Sequence, residues 1–228
     1  MTRLTLSALD RDGALLEAIE RVEGITRGQA LRRAVIGGSA LLAAAALPAA
    51  ARAAPSPARD ADILNYALTL EYLQAAFYTE AERSRALSDR SQRAVRVLGA
   101  VERAHVAALR QQLGRKAVGR PTFNFKGVTE SEQPFLRTAV AFEDLAVEAY
   151  KGQAPLIGNK GILAAAVGIH SVEARHAAWM RHLFGILPAA RAFDNAASRA
   201  QVTRVVAATG FITSQPRTRS RGRPRFTG

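Results

Sequence analysis

Cysteine is absent from the 228 residues. Its absence excludes disulfides, zinc-cysteine sites, iron-sulfur clusters and a lipoprotein anchor, so any metal must be held by His and carboxylates. From Asp60 onward the chain also lacks a convincing alternation of apolar and polar residues, the pattern that marks half-buried strands. Nor is there an apolar run of spanning length. The clearest one, Ala34 to Leu47, holds about 14 residues against the ~20 that a transmembrane helix needs.

What is present is positive charge and enough apolar residues for a core. Hydrophobic residues make up 48% of the chain and the net charge is +13. A chain of this length suits one substantial domain with appendages. The charge resembles a nucleic-acid signature only until it is divided along the chain. Residues 54–213 hold 20 Lys and Arg against 14 Asp and Glu, and the last fifteen residues, SQPRTRSRGRPRFTG, add five Arg with no acid. No basic face is implied. Residues 214–228 read as a disordered Arg-rich tail, with little to bury.

The N-terminal stretch LRRAVIGGSALLAAAALPAAARAAPS places a twin arginine, Arg32 and Arg33, before the apolar run, and Ala51 and Ala53 offer small residues where a signal peptidase reads. A long polar leader and modest, Gly- and Ala-rich hydrophobicity suit the twin-arginine route better than general secretion. Residues 1–53 are therefore expected to be a signal peptide engaging the twin-arginine translocation machinery. Cleavage near Ala53 would give an exported, periplasmic or extracytoplasmic chain with no stable membrane span. Ala34, Val35 and Ile36 depart from the usual residues after the pair. An uncleaved anchor and an ordinary Ala-rich helix are the other readings of the run.

Residues 54–213 carry helical periodicity, which predicts helices over about 60–86, 89–114, 132–152 and 159–184, with a shorter fifth over about 196–208. Ser88 is placed to cap the second helix and Gly114 to end it; Thr129 and Glu132 have the spacing of a capping box for the third. Short connections make the first and second helices, and the third and fourth, antiparallel neighbours. The connection RKAVGRPTFNFKGVTES has ~17 residues that reach roughly 55 Å, against about 39 Å for a 26-residue helix. It can cross the length of the bundle. The expected fold is all-α: a ferritin-like four-helix bundle with one long crossover between helices 2 and 3, plus a short C-terminal helix.

The bundle sequence repeats. VERAHVAALR at 101–110 aligns with VEARHAAWMR at 172–181, and EYLQAAFY at 71–78 aligns with EDLAVEAY at 143–150. The offsets are 71 for the first pair of segments and 72 for the second. Each half thus supplies a lone Glu, Glu71 or Glu143, and then a Glu-x-x-His, Glu102 with His105 or Glu173 with His176. Residues three apart share a helix face. One Glu from each of two helices and Glu-x-x-His from the other two is the ligand pattern of di-iron and di-manganese bundles. Four buried carboxylates without cations would repel one another at large cost. Two Fe or Mn ions are the expected cofactors, and the donor set suits either.

Tyr78 and Tyr150 lie about two turns from Glu71 and Glu143 on the same face, where they could bond a ligand, relay electrons or simply be core aromatics with a satisfied hydroxyl. His170 reads as a satisfied core histidine with a possible supporting role at the site. Asp144 and Glu148 read as solvated; Arg110 and Arg181 match in the repeat, and a solvated helix face explains them equally well.

Three segments in order, NYALTLEYLQAAFY, FNFKGVTESEQPFLRTAVAFEDLAVEAYKG and EARHAAWMRHLFG, resemble the ferritin-like family that also contains plant desiccation-related proteins and bacterial exported homologues. The resemblance runs from Asp60 to Ile212. It implies a ferritin-like fold and a metal site at Glu71, Glu102, His105, Glu143, Glu173 and His176, and implies little about the reaction. If the protein is an enzyme, it is expected to be a di-iron or di-manganese oxidoreductase acting on dioxygen or peroxide in oxidative or stress defence. The alternative is a metal-free or metal-stapled stress-protective bundle without catalysis. A homo-oligomer is possible. A DNA-shielding mini-ferritin is suggested by the basic tail alone, and export argues against it, so nucleic acid is not an expected partner.

Overall fold

The computed structural model describes residues 56–214. The segment expected to direct export, and the Arg-rich tail beyond Ser214, lie outside these residues. Five α-helices carry the described chain: α1 (Pro57–Ser84), α2 (Asp89–Leu113), α3 (Glu132–Gln153), α4 (Lys160–Phe184) and α5 (Arg199–Thr209). α1 packs mainly on α2, and α3 mainly on α4. The architecture is the expected all-α bundle of two hairpins with one long crossover, plus a short C-terminal helix.

The caps set the boundaries. α1 begins at Pro57 rather than near residue 60, because Ser56 accepts the Arg59 N–H at 3.2 Å and Pro57 fits the first turn. α2 is capped by Ser88 and closes on Gly114, whose φ of 53° favours glycine. Asn159 caps α4 by accepting the Gly161 and Ile162 N–H groups. α5 starts at Arg199 rather than near 196, because Ser198 and Gln201 form a capping box.

The capping box expected from Thr129 and Glu132 does not form. Thr129 is buried in a 3-10 turn (Val128–Glu130), and its hydroxyl donates to Glu80 at 2.7 Å. Glu132 instead accepts the Ser88 N–H at 2.8 Å, the Ser88 hydroxyl at 2.9 Å and the Ser91 hydroxyl at 2.5 Å. It supplies from α3 the acceptor that a capping box in α2 would carry at position 91. The start of α3 lies beside the start of α2, a neighbourhood that spacing along one helix does not reveal.

The crossover is anchored at several points. Asn65 of α1 donates to the Lys116 carbonyl at 3.0 Å and accepts the Val118 N–H at 2.9 Å. Strand β1 (Thr122–Phe123) then pairs antiparallel with β2 (Ile212–Ser214). This short ladder was not expected from the sequence, and Ser214, expected to open the tail, is its last residue. Phe125 is buried, with its ring edge-on to Phe77 and to Phe211 at 5.4 Å each. Dispersion and burial hold the crossover to the bundle there.

Two apolar layers enclose a polar one. One layer contains Phe77, Phe135, Phe142, Leu98 and Met180; the other contains Leu68, Tyr72, Leu109, Leu113 and Ala166. Glu71, Glu102, His105, Glu143, Glu173 and His176 fall between them along the helices. The α3–α4 end is tied to α1 by buried Asp60, which accepts the Gly158 and Asn159 N–H groups at 2.8 and 2.9 Å.

Candidate metal centre

Each of the four bundle helices contributes to the polar layer as the repeat requires. Glu71 comes from α1, Glu102 and His105 from α2, Glu143 from α3, and Glu173 and His176 from α4. All four carboxylates are fully buried and both imidazoles nearly so. The ligand-capable atoms fall into two overlapping groups, Glu71, Glu102, His105 and Glu173 in one, and Glu102, Glu143, Glu173 and His176 in the other. Within each group these atoms lie within 4.8 Å of one another. Glu102 and Glu173 belong to both groups.

The nitrogens turned toward the carboxylates are Nδ1 in both histidines. His105 Nδ1 lies 3.3 Å from Glu71 Oε2, 3.5 Å from Glu102 Oε2 and 3.0 Å from Glu173 Oε1. His176 Nδ1 lies 2.9 Å from Glu102 Oε1, 3.6 Å from Glu143 Oε2 and 3.8 Å from Glu173 Oε2. Yet Glu71 Oε2, both Glu102 oxygens, Glu173 Oε1 and both Nδ1 atoms have no hydrogen-bond partner. Buried polar atoms are normally satisfied. These face one another across a small polar interior, which is the condition a bound cation would relieve.

Electrostatics point the same way. Burial pushes Glu71 well above the usual carboxylate range and the nearby Glu173 charge pushes it further, with His105 partly offsetting them. Burial also raises Glu143, where His176 opposes the effect and Glu102 and Glu173 add to it. Burial by itself would lower His105 and His176, but the surrounding carboxylates outweigh it and push them up to about 12 and about 11. Burial would raise Glu173 too; both histidines pull it down to about 2. In this state the histidines act as counter-ions. Bound cations would neutralise the carboxylates and release the imidazoles as neutral ligands.

The two tyrosines cross between the halves. The Tyr78 hydroxyl of the first half donates to Glu143 Oε1 of the second, and Tyr150 of the second donates to Glu71 Oε1 of the first, at 2.5 Å. Each is fully within the protein, and burial followed by its carboxylate partner raises its hydroxyl well above the ordinary value. They stay protonated and orient the carboxylates of Glu143 and Glu71. Placed on the faces of Glu71 and Glu143 by the sequence, they serve instead the opposite half's Glu.

One site residue was missed. Buried Gln74, one turn after Glu71, donates its amide to Glu143 Oε2 at 3.1 Å and to Glu173 Oε2 at 3.4 Å. Its signal was a long polar residue on the same helix face as Glu71, where the repeat has Ala146. Other expectations change with packing. Asp144, expected in solvent, makes a two-point ion pair with Arg181 at 2.7 and 2.9 Å. The Glu148 backbone carbonyl accepts the Ala197 N–H, and its carboxylate approaches Asn195. His170 is half-buried and not satisfied: its Nε2 has no partner.

A family model described as a ferritin-like domain matches residues 59–185. No curated protein matches the chain. The matched span runs from the first turn of α1 to the end of α4, and so contains all six clustered residues and the crossover between the hairpins. With more than half of its length in that match, the chain belongs to the ferritin-like domain family.

Proposed function

We propose that this protein binds a dinuclear iron or manganese centre and uses it in redox chemistry with dioxygen or peroxide, in oxidative or stress defence outside the cytoplasm. The observation that carries the reading is the buried set of four carboxylates and two imidazoles, in which Glu71 Oε2, both Glu102 oxygens, Glu173 Oε1 and both Nδ1 atoms lack hydrogen-bond partners. One position would be held by Glu71, Glu102, His105 and Glu173, the other by Glu102, Glu143, Glu173 and His176. Iron or manganese bound there would supply one-electron redox chemistry at a Lewis-acidic pair of ions.

The chain's own residues define the rest. Glu102 and Glu173 are shared between the positions, while Tyr78 and Tyr150 fix the outer carboxylates. The apolar layers restrict water. A small oxidant suits so enclosed a site: gaps of about 10 and 20 Å³ border Gln74 and Tyr150, and neither these nor the clefts of about 440, 560 and 770 Å³ are lined by any of the six residues. The twin arginine and apolar run support export by a route that carries folded, metal-loaded proteins.

Metal analysis of the purified full chain tests the proposal. The wild-type protein is expected to hold about two Fe or Mn per chain, and Glu102→Ala with Glu173→Ala to hold almost none, because both positions lose shared ligands. No metal in the wild type, even after anaerobic addition of Fe(II) or Mn(II), would leave a structural, stress-protective bundle. Bound metal with no turnover of dioxygen or peroxide would leave a metal-stapled one.

A further inference from the structure

The two halves of the repeat do not make equal halves of the centre. Applying the offset that relates Glu71 to Glu143 and Tyr78 to Tyr150, Gln74 corresponds to Ala146. Only one half therefore places an amide in the polar layer. That amide reaches across to the Glu143 side. It donates to Glu143 Oε2 and Glu173 Oε2, the two oxygens that, with Glu102 Oε1, face His176 Nδ1. With Tyr78 on Oε1, both oxygens of Glu143 are engaged by donors.

The opposite position has no such competitor. Its four facing atoms, Glu71 Oε2, Glu102 Oε2, Glu173 Oε1 and His105 Nδ1, all lack hydrogen-bond partners. The amide nitrogen of Gln74 lies 3.1 and 3.4 Å from Glu143 Oε2 and Glu173 Oε2, and a carboxylate ionised to ligate a cation can only accept from it.

We propose that Gln74 makes the two metal positions unequal, so that the His105 position fills first and the His176 position fills second and more weakly. The inference rests on the dinuclear reading of the site. An ion entering the His105 position replaces only the ion pairs of His105, whereas one entering the His176 position must replace those of His176 and also displace or share the Gln74 hydrogen bonds to two of its four ligands. A charge-assisted hydrogen bond lost on binding weakens affinity by about tenfold.

Anaerobic addition of Mn(II) to the metal-free full chain, followed by calorimetry and by electron paramagnetic resonance, tests this independently of activity. Wild type is expected to bind two Mn(II) in separate steps about tenfold or more apart. His105→Ala should remove the tighter step and His176→Ala the weaker one. Gln74→Leu, similar in size but unable to donate, should tighten the second step about tenfold and leave the first in place. Gln74→Ala, which copies the residue at 146, should act in the same direction should Leu perturb packing. Equal steps in wild type, or an unchanged ratio in the Gln74 variants, overturn this inference alone. A weaker second step in Gln74→Leu would make the amide a ligand and overturn it too. Absence of any Mn(II) binding would overturn the metal centre and this inference with it.

Discussion

At the scale of single residues, the polar layer sets the cost of buried carboxylates against their contacts with histidine, tyrosine and glutamine. Glu71 shows the balance: it is fully buried, raised by burial and by Glu173, and steadied by His105 and the Tyr150 hydroxyl. In the metal-free protein, Glu71→Gln removes an ionisable group yet keeps an oxygen that Tyr150 can bond. Because the folded-state pKa is raised, the penalty of Glu71 appears as pH rises above its unfolded value and is absent well below it. The variant is therefore expected to be more stable than wild type at neutral pH, by about 1–3 kcal/mol, with the gain shrinking toward pH 4. Urea unfolding in a chelator would measure it. With Mn(II) present the order should reverse, because the variant loses a ligand and with it the stabilisation that binding confers. A destabilised metal-free variant would mean that Glu71 is instead a net stabilising partner of His105.

At the scale of elements, the hairpins are registered by polar contacts that join helix ends. Glu132 of α3 serves the start of α2 through Ser88 and Ser91. Burial by itself would raise its pKa, but the Ser91 and Ser88 donors together outweigh this and hold it below the ordinary value. A lowered folded-state pKa means that its stabilisation is present above the unfolded value and is lost as pH falls through the folded one. Glu132→Ala should cost about 1 kcal/mol at pH 7, in line with loss of a cap. The difference from wild type should shrink as pH falls below about 4.3, the ordinary Glu value. Chemical unfolding across that range gives the comparison; a cost that does not vary with pH would attribute the effect to packing of the stem.

At the scale of the whole molecule, the crossover and the C-terminal segment close one end of the bundle together. Phe125 of the crossover and Phe211 after α5 pack into the aromatic layer with Phe77 and Phe142, while β1 and β2 pair alongside. Phe125→Ala would empty a buried site shared by three elements. The expected loss is about 3–5 kcal/mol, seen as a lower midpoint in denaturant-induced unfolding. A loss below about 1 kcal/mol would show that the crossover relaxes into the gap instead of being pinned by this ring.

The sequence by itself determined the helical periodicity, the pairing of short-looped hairpins, the length of the crossover, and the two Glu-x-x-His motifs with their lone Glu partners. These are local or repeated patterns. A 3.6-residue period places Glu102 with His105, and Glu173 with His176, on one face whatever surrounds them. Tertiary structure decided which atoms meet across helices. It gave Glu132 to α2 instead of its own helix, crossed Tyr78 and Tyr150 between halves, paired Asp144 with Arg181, and joined β1 to β2 across the chain. It also turned Gln74, an unmarked difference between two otherwise similar segments, into the residue that breaks the symmetry of the polar layer. Contacts of this kind depend on helix rotation and height within the bundle, which the pitch of each helix does not specify until all four pack together.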